Sequence, residues 1–146
     1  MASNGAAEDL ATQLQTAGAG TIASTSGWRI GISYEPDGAG IQDTTITAFD
    51  TGGLSPNPKW LLDQPSVQIR VRGAPMGYQA AYDKARECMN ALLGLTPATI
   101  NGTYYAGVVA LGDINHISND ESDRPILTLN LRAFREPATG TNRTSL

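Results

Sequence analysis

The chain has 146 residues, enough for one domain that buries roughly two-thirds of its unfolded surface. Ten Lys and Arg against 14 Asp and Glu leave a net charge of -4 with no basic block, which excludes a dominant affinity for naked nucleic acid or anionic lipid. One cysteine, Cys88, excludes an internal disulfide framework, and no stretch approaches the ~18 apolar residues of a membrane span.

In chain order, Ala6 to Ala17 comes first. It carries Leu10 and Leu14 at helical spacing, Glu8 and Asp9 in a first turn where carboxylates complement the helix dipole, and Gly18 and Gly20 beyond its end. A short N-terminal helix is predicted. Trp28, Ile30, Ile32 and Tyr34 alternate with Arg29, Gly31 and Ser33 as a first core strand does, and Glu35-Pro36-Asp37-Gly38 reads as a tight turn. Thr44 to Asp50 is rich in β-branched residues and includes Ile46 and Phe49, a second short strand, whereas Thr51 to Pro58 is loop chemistry throughout. Lys59 to Leu62 adds half a turn of helix before Pro65, with Trp60 as an anchor for the loop.

Ser66 to Leu95 writes a strand, a turn and a helix. Val67, Ile69 and Val71 alternate with Gln68, Arg70 and Arg72, so one strand face is apolar and the other carries two guanidinium groups. Gly73-Ala74-Pro75 ends the strand. Apolar residues then recur at Tyr78, Ala81, Tyr82, Ala85, Cys88, Met89 and Leu92, with Asp83, Lys84, Arg86 and Glu87 opposite them, and Gly94-Leu95 predicts a left-handed C-cap. Cys88, placed among the apolar positions, reads as a buried structural thiol.

Ala98 to Asn101 leads into Tyr104 to Leu111, a strand apolar on both faces, with a helix to cover one side and something else, such as another subunit, the other. Asp113 to Arg124 turns polar and acidic and reads as a loop. After Pro125, residues Leu127, Leu129, Leu131 and Ala133 alternate with Thr128, Asn130 and Arg132 in a closing strand. The predicted fold is therefore α+β: a mixed, mainly antiparallel sheet with the central amphipathic helix and the N-terminal helix packed against it. Residues 1-136 form a single domain and 137-146 a flexible tail. The start, MASNGAAEDL, has no secretory signal pattern, so residence in the cytoplasm is expected unless a larger particle carries the protein out, and the triplets at Asn101 and Asn142 are turn and tail chemistry rather than glycosylation sites.

Catalytic, metal and cofactor chemistry find no support in the residues. His116 is the single histidine, and no cysteine or second histidine is placed to complete a zinc site with it. No Gly-x-Ser-x-Gly elbow occurs, and Gly18-Ala19-Gly20 and Gly38-Ala39-Gly40 lack the strand before and helix after that a phosphate loop requires. Arg70, Arg72 and Arg132 form a more informative set, because all three project from the polar faces of strands expected to be neighbours. Either they belong to a solvated sheet face or they contact a subunit or partner, for which Asp120, Glu121 and Asp123 are the natural complement.

VQIRVRGAPMGYQAAYDKARECMNALLGL followed by NGTYYAGVVALGDINHISNDESDRPILTLNLRAFRE resembles the minor capsid or tail-terminator proteins of long-tailed bacteriophages, over about Ser66 to Glu136. The shared order is a strand ending in basic residues, a helix of the AAYDKA type ending in LLGL, and a two-stranded unit closing on RAFRE. This resemblance implies a non-enzymatic, ring-forming virion protein, a ring of about six subunits that caps the finished tail tube and joins it to the head connector. It further implies contacts with the tail tube protein and with a connector or head-completion protein, DNA passing through without sequence-specific binding, and no membrane partner. A neighbouring neck component, a head-closure or head-completion protein, is the second reading. A small binding domain or an enzyme of unrecognised type is the third.

Overall fold

The computed structural model describes residues 4-136 apart from residues 58 and 60. Two helices and eight strands follow in order: α1 Ala6–Thr16, β1 Thr21–Ile22, β2 Arg29–Ile32, β3 Thr45–Gly53, β4 Pro65–Arg72, α2 Tyr78–Leu93, β5 Ala98–Ile100, β6 Thr103–Ala110, β7 Asn115–Asn119 and β8 Pro125–Arg135. The fold is α+β with a mixed sheet ordered β1-β2-β3-β4-β8-β6-β5, and β7 also pairs with β8. The β1-β2 and β2-β3 pairs are parallel and all the others antiparallel.

The alternation in β4 and β8 places the core. Val71, Ile69 and Val67 pair with Leu127, Leu129 and Leu131, and because directly opposed residues share a sheet face, all six lie on one side. All six are fully buried, as are Ile30, Ile46 and Ala48 from the neighbouring strands. Leu10 and Leu14 of α1 and Ala81, Ala85, Cys88 and Leu92 of α2 join the same cluster. At about 1.5–3 kcal/mol per large aliphatic side chain, this layer supplies most of the favourable free energy of folding.

Several local features are decided across the chain. Gly5 sits at the N-cap of α1 without a capping side chain of its own, and the Asp50 carboxylate of β3 takes that role by accepting the Ala7 N–H at 3.0 Å. A Cβ on Gly5 would come within 2.7 Å of that carboxylate, so the residue's smallness lets the cap approach. At the end of α2, Gly94 has φ -82 rather than the expected left-handed conformation: Leu95 N–H donates to the Leu92 carbonyl and tightens the last turn instead. Leu95 still packs on the core. Tyr78, expected on the buried stripe, is 49 % exposed, because it stands at the first residue of α2 beside His116 instead of over the sheet.

The first third differs most from expectation. The strand at Trp28 stops at Ile32, since Ser33 has φ 60, and Tyr34 is exposed. The tight turn falls at Gly38 to Ile41 instead of Glu35 to Gly38, closed by Ile41 N–H on the Gly38 carbonyl. β3 continues to Gly53, beyond the expected end at Asp50, and its last residue pairs with Pro65. Lys59, Leu61 and Leu62 are not helical, and Trp60 lies outside the described residues, as do 137-146.

The expected Asp113 to Arg124 loop contains β7. β6 pairs with the Leu131 to Arg135 end of β8, and β7 continues along the same edge against Pro125 to Thr128. Without β7, one side of that end of β8 would leave its backbone groups unpaired. The result is one long ribbon with its tip at residues 120-124.

Candidate assembly surface

The helices cover one face of the sheet. The register places Thr45, Thr47 and Phe49 of β3, Gln68, Arg70 and Arg72 of β4, Thr128, Asn130 and Arg132 of β8 and Val109 of β6 together on the other. The structure thus brings all three sequence-predicted arginines onto one face, but it treats them differently.

The connection from Ser33 to Thr44, which must carry the chain from β2 back to the start of its parallel neighbour β3, folds over one half of this face. Arg72 lies beneath it and is 3 % exposed. Its Nε donates to the Asp43 carbonyl at 2.8 Å, and Nη2 donates to those of Pro36 and Gln42 at 3.2 Å. Arg72 is therefore a structural group bonded to the backbone, not part of a solvated face. Arg70 reaches Glu35 of the same connection at 3.4 Å and stays half-exposed.

The other half is open. Asn130 is exposed, Phe49 and Phe134 are half-buried, and Val109 and Leu111 are 43 % and 44 % exposed. Tyr104, at the start of β6, is also exposed. β6 is thus buried at Thr103, Tyr105 and Val108 while its apolar Tyr104, Val109 and Ala110 are uncovered, in keeping with the two-sided apolar character of its sequence. Arg132 sits amid this half with no carboxylate within ion-pair distance among the described residues, and its Nε is buried without a hydrogen-bond partner.

The acidic residues divide in the same way. Asp120 is held within its own chain by Arg124, whose side chain is 8 % exposed and which sequence reasoning missed. Arg124 bonds Asp120 at 2.7 Å, Asp37 at 2.8 Å and Asp43 at 3.0 Å, so it clamps the ribbon tip to the covering connection. The Arg124 hydrogen bond holds the Asp37 carboxyl down at about 2. Burial pushes Asp120 upward, but its hydrogen bonds from the Arg124 backbone and side chain and from Ser122 outweigh this and leave it below the usual range. Arg124 itself is raised, first by Asp37. Glu121 and Asp123 are exposed at the tip and form no ion pair among the described residues.

A second buried polar group also escaped the sequence. Asp9 is fully buried, accepts hydrogen bonds from the Tyr105 hydroxyl and from Asn101 Nδ2 at 2.9 Å, and lies 3.9 Å from Arg135. Burial, and then the bond to Asp9, raises the Tyr105 phenol. This network ties α1 to the β5-β6 turn and to the end of β8. The period of α1 places Asp9 beside Leu10 without indicating such partners, which lie 92 and 96 residues away.

The remaining reactive groups do not converge. His116 is exposed, meets the Tyr78 ring edge-on at 5.7 Å and lies 3.1 Å from the Asn119 side chain. Cys88 is buried, and burial pushes its thiol up to about 12. Among the described residues no group of three or more His, Cys, Asp or Glu is arranged to hold a metal ion, and no helix is long and apolar enough to cross a membrane.

What this geometry offers is a sheet face half sealed by its own chain and half open, with charges of both signs at separate places that lack ion pairs among the described residues. No individual curated protein matches the chain. A family described as bacteriophage tail terminator protein matches residues 13–136, from the middle of α1 through the whole of β8. With most of its length matched, the chain belongs to the bacteriophage tail terminator protein family, a structural family of the phage tail.

Proposed function

We propose that this protein ends tail-tube polymerisation by closing into a ring, of about six subunits, on the finished tube and presenting that ring to the head connector. The observation that carries the reading is the open half-face: Arg132 without a carboxylate partner among the described residues, flanked by exposed Val109 and Leu111. Glu121 and Asp123 stand at the ribbon tip without an ion pair among the described residues. A surface with its cation in one place and its anions in another suits a head-to-tail contact, in which the same pair recurs around a closed ring. In that contact Arg132, with Arg70 further along the same face, meets Glu121 and Asp123 of the next subunit. Arg72 and Asp120 act from within, fixing the face and the tip that meet. DNA passes through the ring without sequence-specific contacts, in line with the net charge of -4.

Charge reversal tests this directly. Arg132→Glu and Asp123→Arg are each expected to abolish rings in light scattering and negative-stain images while leaving circular dichroism unchanged, and the double reversal is expected to restore part of the assembly. Phage carrying either single change should build heads but make tails of uncontrolled length that do not join them. Normal joined tails from a protein unable to form rings would reject the terminator role. Tails of regulated length that fail only to join would instead favour a head-closure component.

A further inference from the structure

β7 pairs with β8 along one side and, among the described residues, with no strand along the other. All five of its residues are exposed, and the register irregularity between His116 and Ser118 leaves Ile117 half in solvent. Met76, 83 % exposed, and Tyr78 stand alongside: the Tyr78 ring touches His116, and the Met76 N–H donates to the Asp123 carbonyl at the ribbon tip. An edge with unpaired backbone groups and exposed apolar residues is a template for another strand.

Charge decides which strand. Gly112 to Asp123 contains Asp113, Asp120, Glu121 and Asp123 and no Lys or Arg. Antiparallel pairing of β7 with a second copy of itself, centred on Ile117, would bring Asp113, just before the strand, towards Glu121 of the partner subunit, just beyond it, and add carboxylates to carboxylates with no cation between them. Asp113 has a single distant ion-pair contact, with Arg86 at 3.9 Å, and its side chain is 74 % exposed. The edge is therefore guarded against its own kind and complementary to a cationic segment.

We propose that the open edge of β7 takes up an extended segment of a different protein. That segment carries an apolar residue to lie beside Ile117 and a Lys or Arg flanking it to meet Asp113. This surface is separate from the Arg132 half-face and adjoins the ribbon tip, so it adds a partner site beside the ring contact instead of restating it.

The probes are two labelled peptides of alternating Thr and Val, about nine residues or ~30 Å of strand, one with Lys at both ends and one with Glu at both ends. Binding is measured by fluorescence anisotropy and amide hydrogen exchange on the full chain carrying Arg132→Glu, so that failure of ring assembly does not affect the result. The Lys-ended peptide is expected to bind roughly tenfold or more tightly than the Glu-ended one at low salt, to lose that preference at high salt, and to slow exchange at Asn115–Asn119. Asp113→Lys should reverse the preference, and Ile117→Asp should abolish binding with circular dichroism unchanged. Equal affinity for the two peptides, protection confined to other strands, or binding undiminished in Ile117→Asp would overturn the proposal. So would peptide-free dimerisation that protects the same amides.

Discussion

Arg72 and Arg132 each alternate with apolar core residues and lie on the same face of adjacent strands, yet one is sealed beneath the Ser33 to Thr44 connection and the other has no carboxylate partner among the described residues. The difference lies outside both strands. A parallel β2-β3 pair demands a crossover, the crossover must lie on one face of the sheet, and the half it covers turns its arginine into a bracket for backbone carbonyls. The half left uncovered keeps a cation without a carboxylate partner among the described residues. An arginine in an alternating strand thus announces a polar face, and the chain packed around it decides whether that face is covered or open.

The most damaging way to break this comparison removes the floor common to both halves. Leu129 is fully buried on the helix side, and Leu129→Asp is expected to prevent folding, since an unpaired buried carboxylate costs several kcal/mol against a total stability of about 5–15 kcal/mol. Insoluble protein, or circular dichroism without a cooperative melt, is the expected result. Next comes Arg72→Ala, which leaves three carbonyls beneath the connection without their donor; a loss of about 2–4 kcal/mol in urea unfolding is expected. A loss no larger than that of an exposed residue would mean that the cover does not depend on the arginine.

Arg124→Ala should cost less than Arg72→Ala, and its effect should depend on pH. Asp37 and Asp120 are both depressed when folded, so their contribution is complete above the ordinary carboxylate range. It is lost as the carboxylates protonate, for Asp37 between about 4 and about 2. The gap between wild type and Arg124→Ala should therefore be full at neutral pH and shrink towards pH 2; a gap that widens on acidification would contradict the clamp. The smallest effect on stability belongs to Arg132→Ala, expected to stay within about 0.5 kcal/mol of wild type despite its resemblance to Arg72 in sequence. That near-silence in unfolding, combined with loss of assembly, would separate the two halves most sharply.

The strands at Val67 and Leu127, the helix from Tyr78 and the N-terminal helix were legible from the chain because each is defined by residues within a few positions of one another. Periods of two and 3.6 report which face is apolar, and the burial of Val67, Ile69, Val71, Ala85, Cys88 and Leu129 follows from them. The charges at Arg70, Arg132, Glu121 and Asp123 were legible as surface charges for the same reason. Tertiary structure alone decided the parallel pairing of β1, β2 and β3, the addition of the polar strand β7 to the edge of β8, and the fates of Arg72, Arg124 and Asp9. The Arg124 clamp joins residues 81 and 87 apart, and the Asp9 network joins residues 92 and 96 apart. At such separations a side chain's partner depends on which strands lie side by side, and local spacing, which governs burial, contains no record of that.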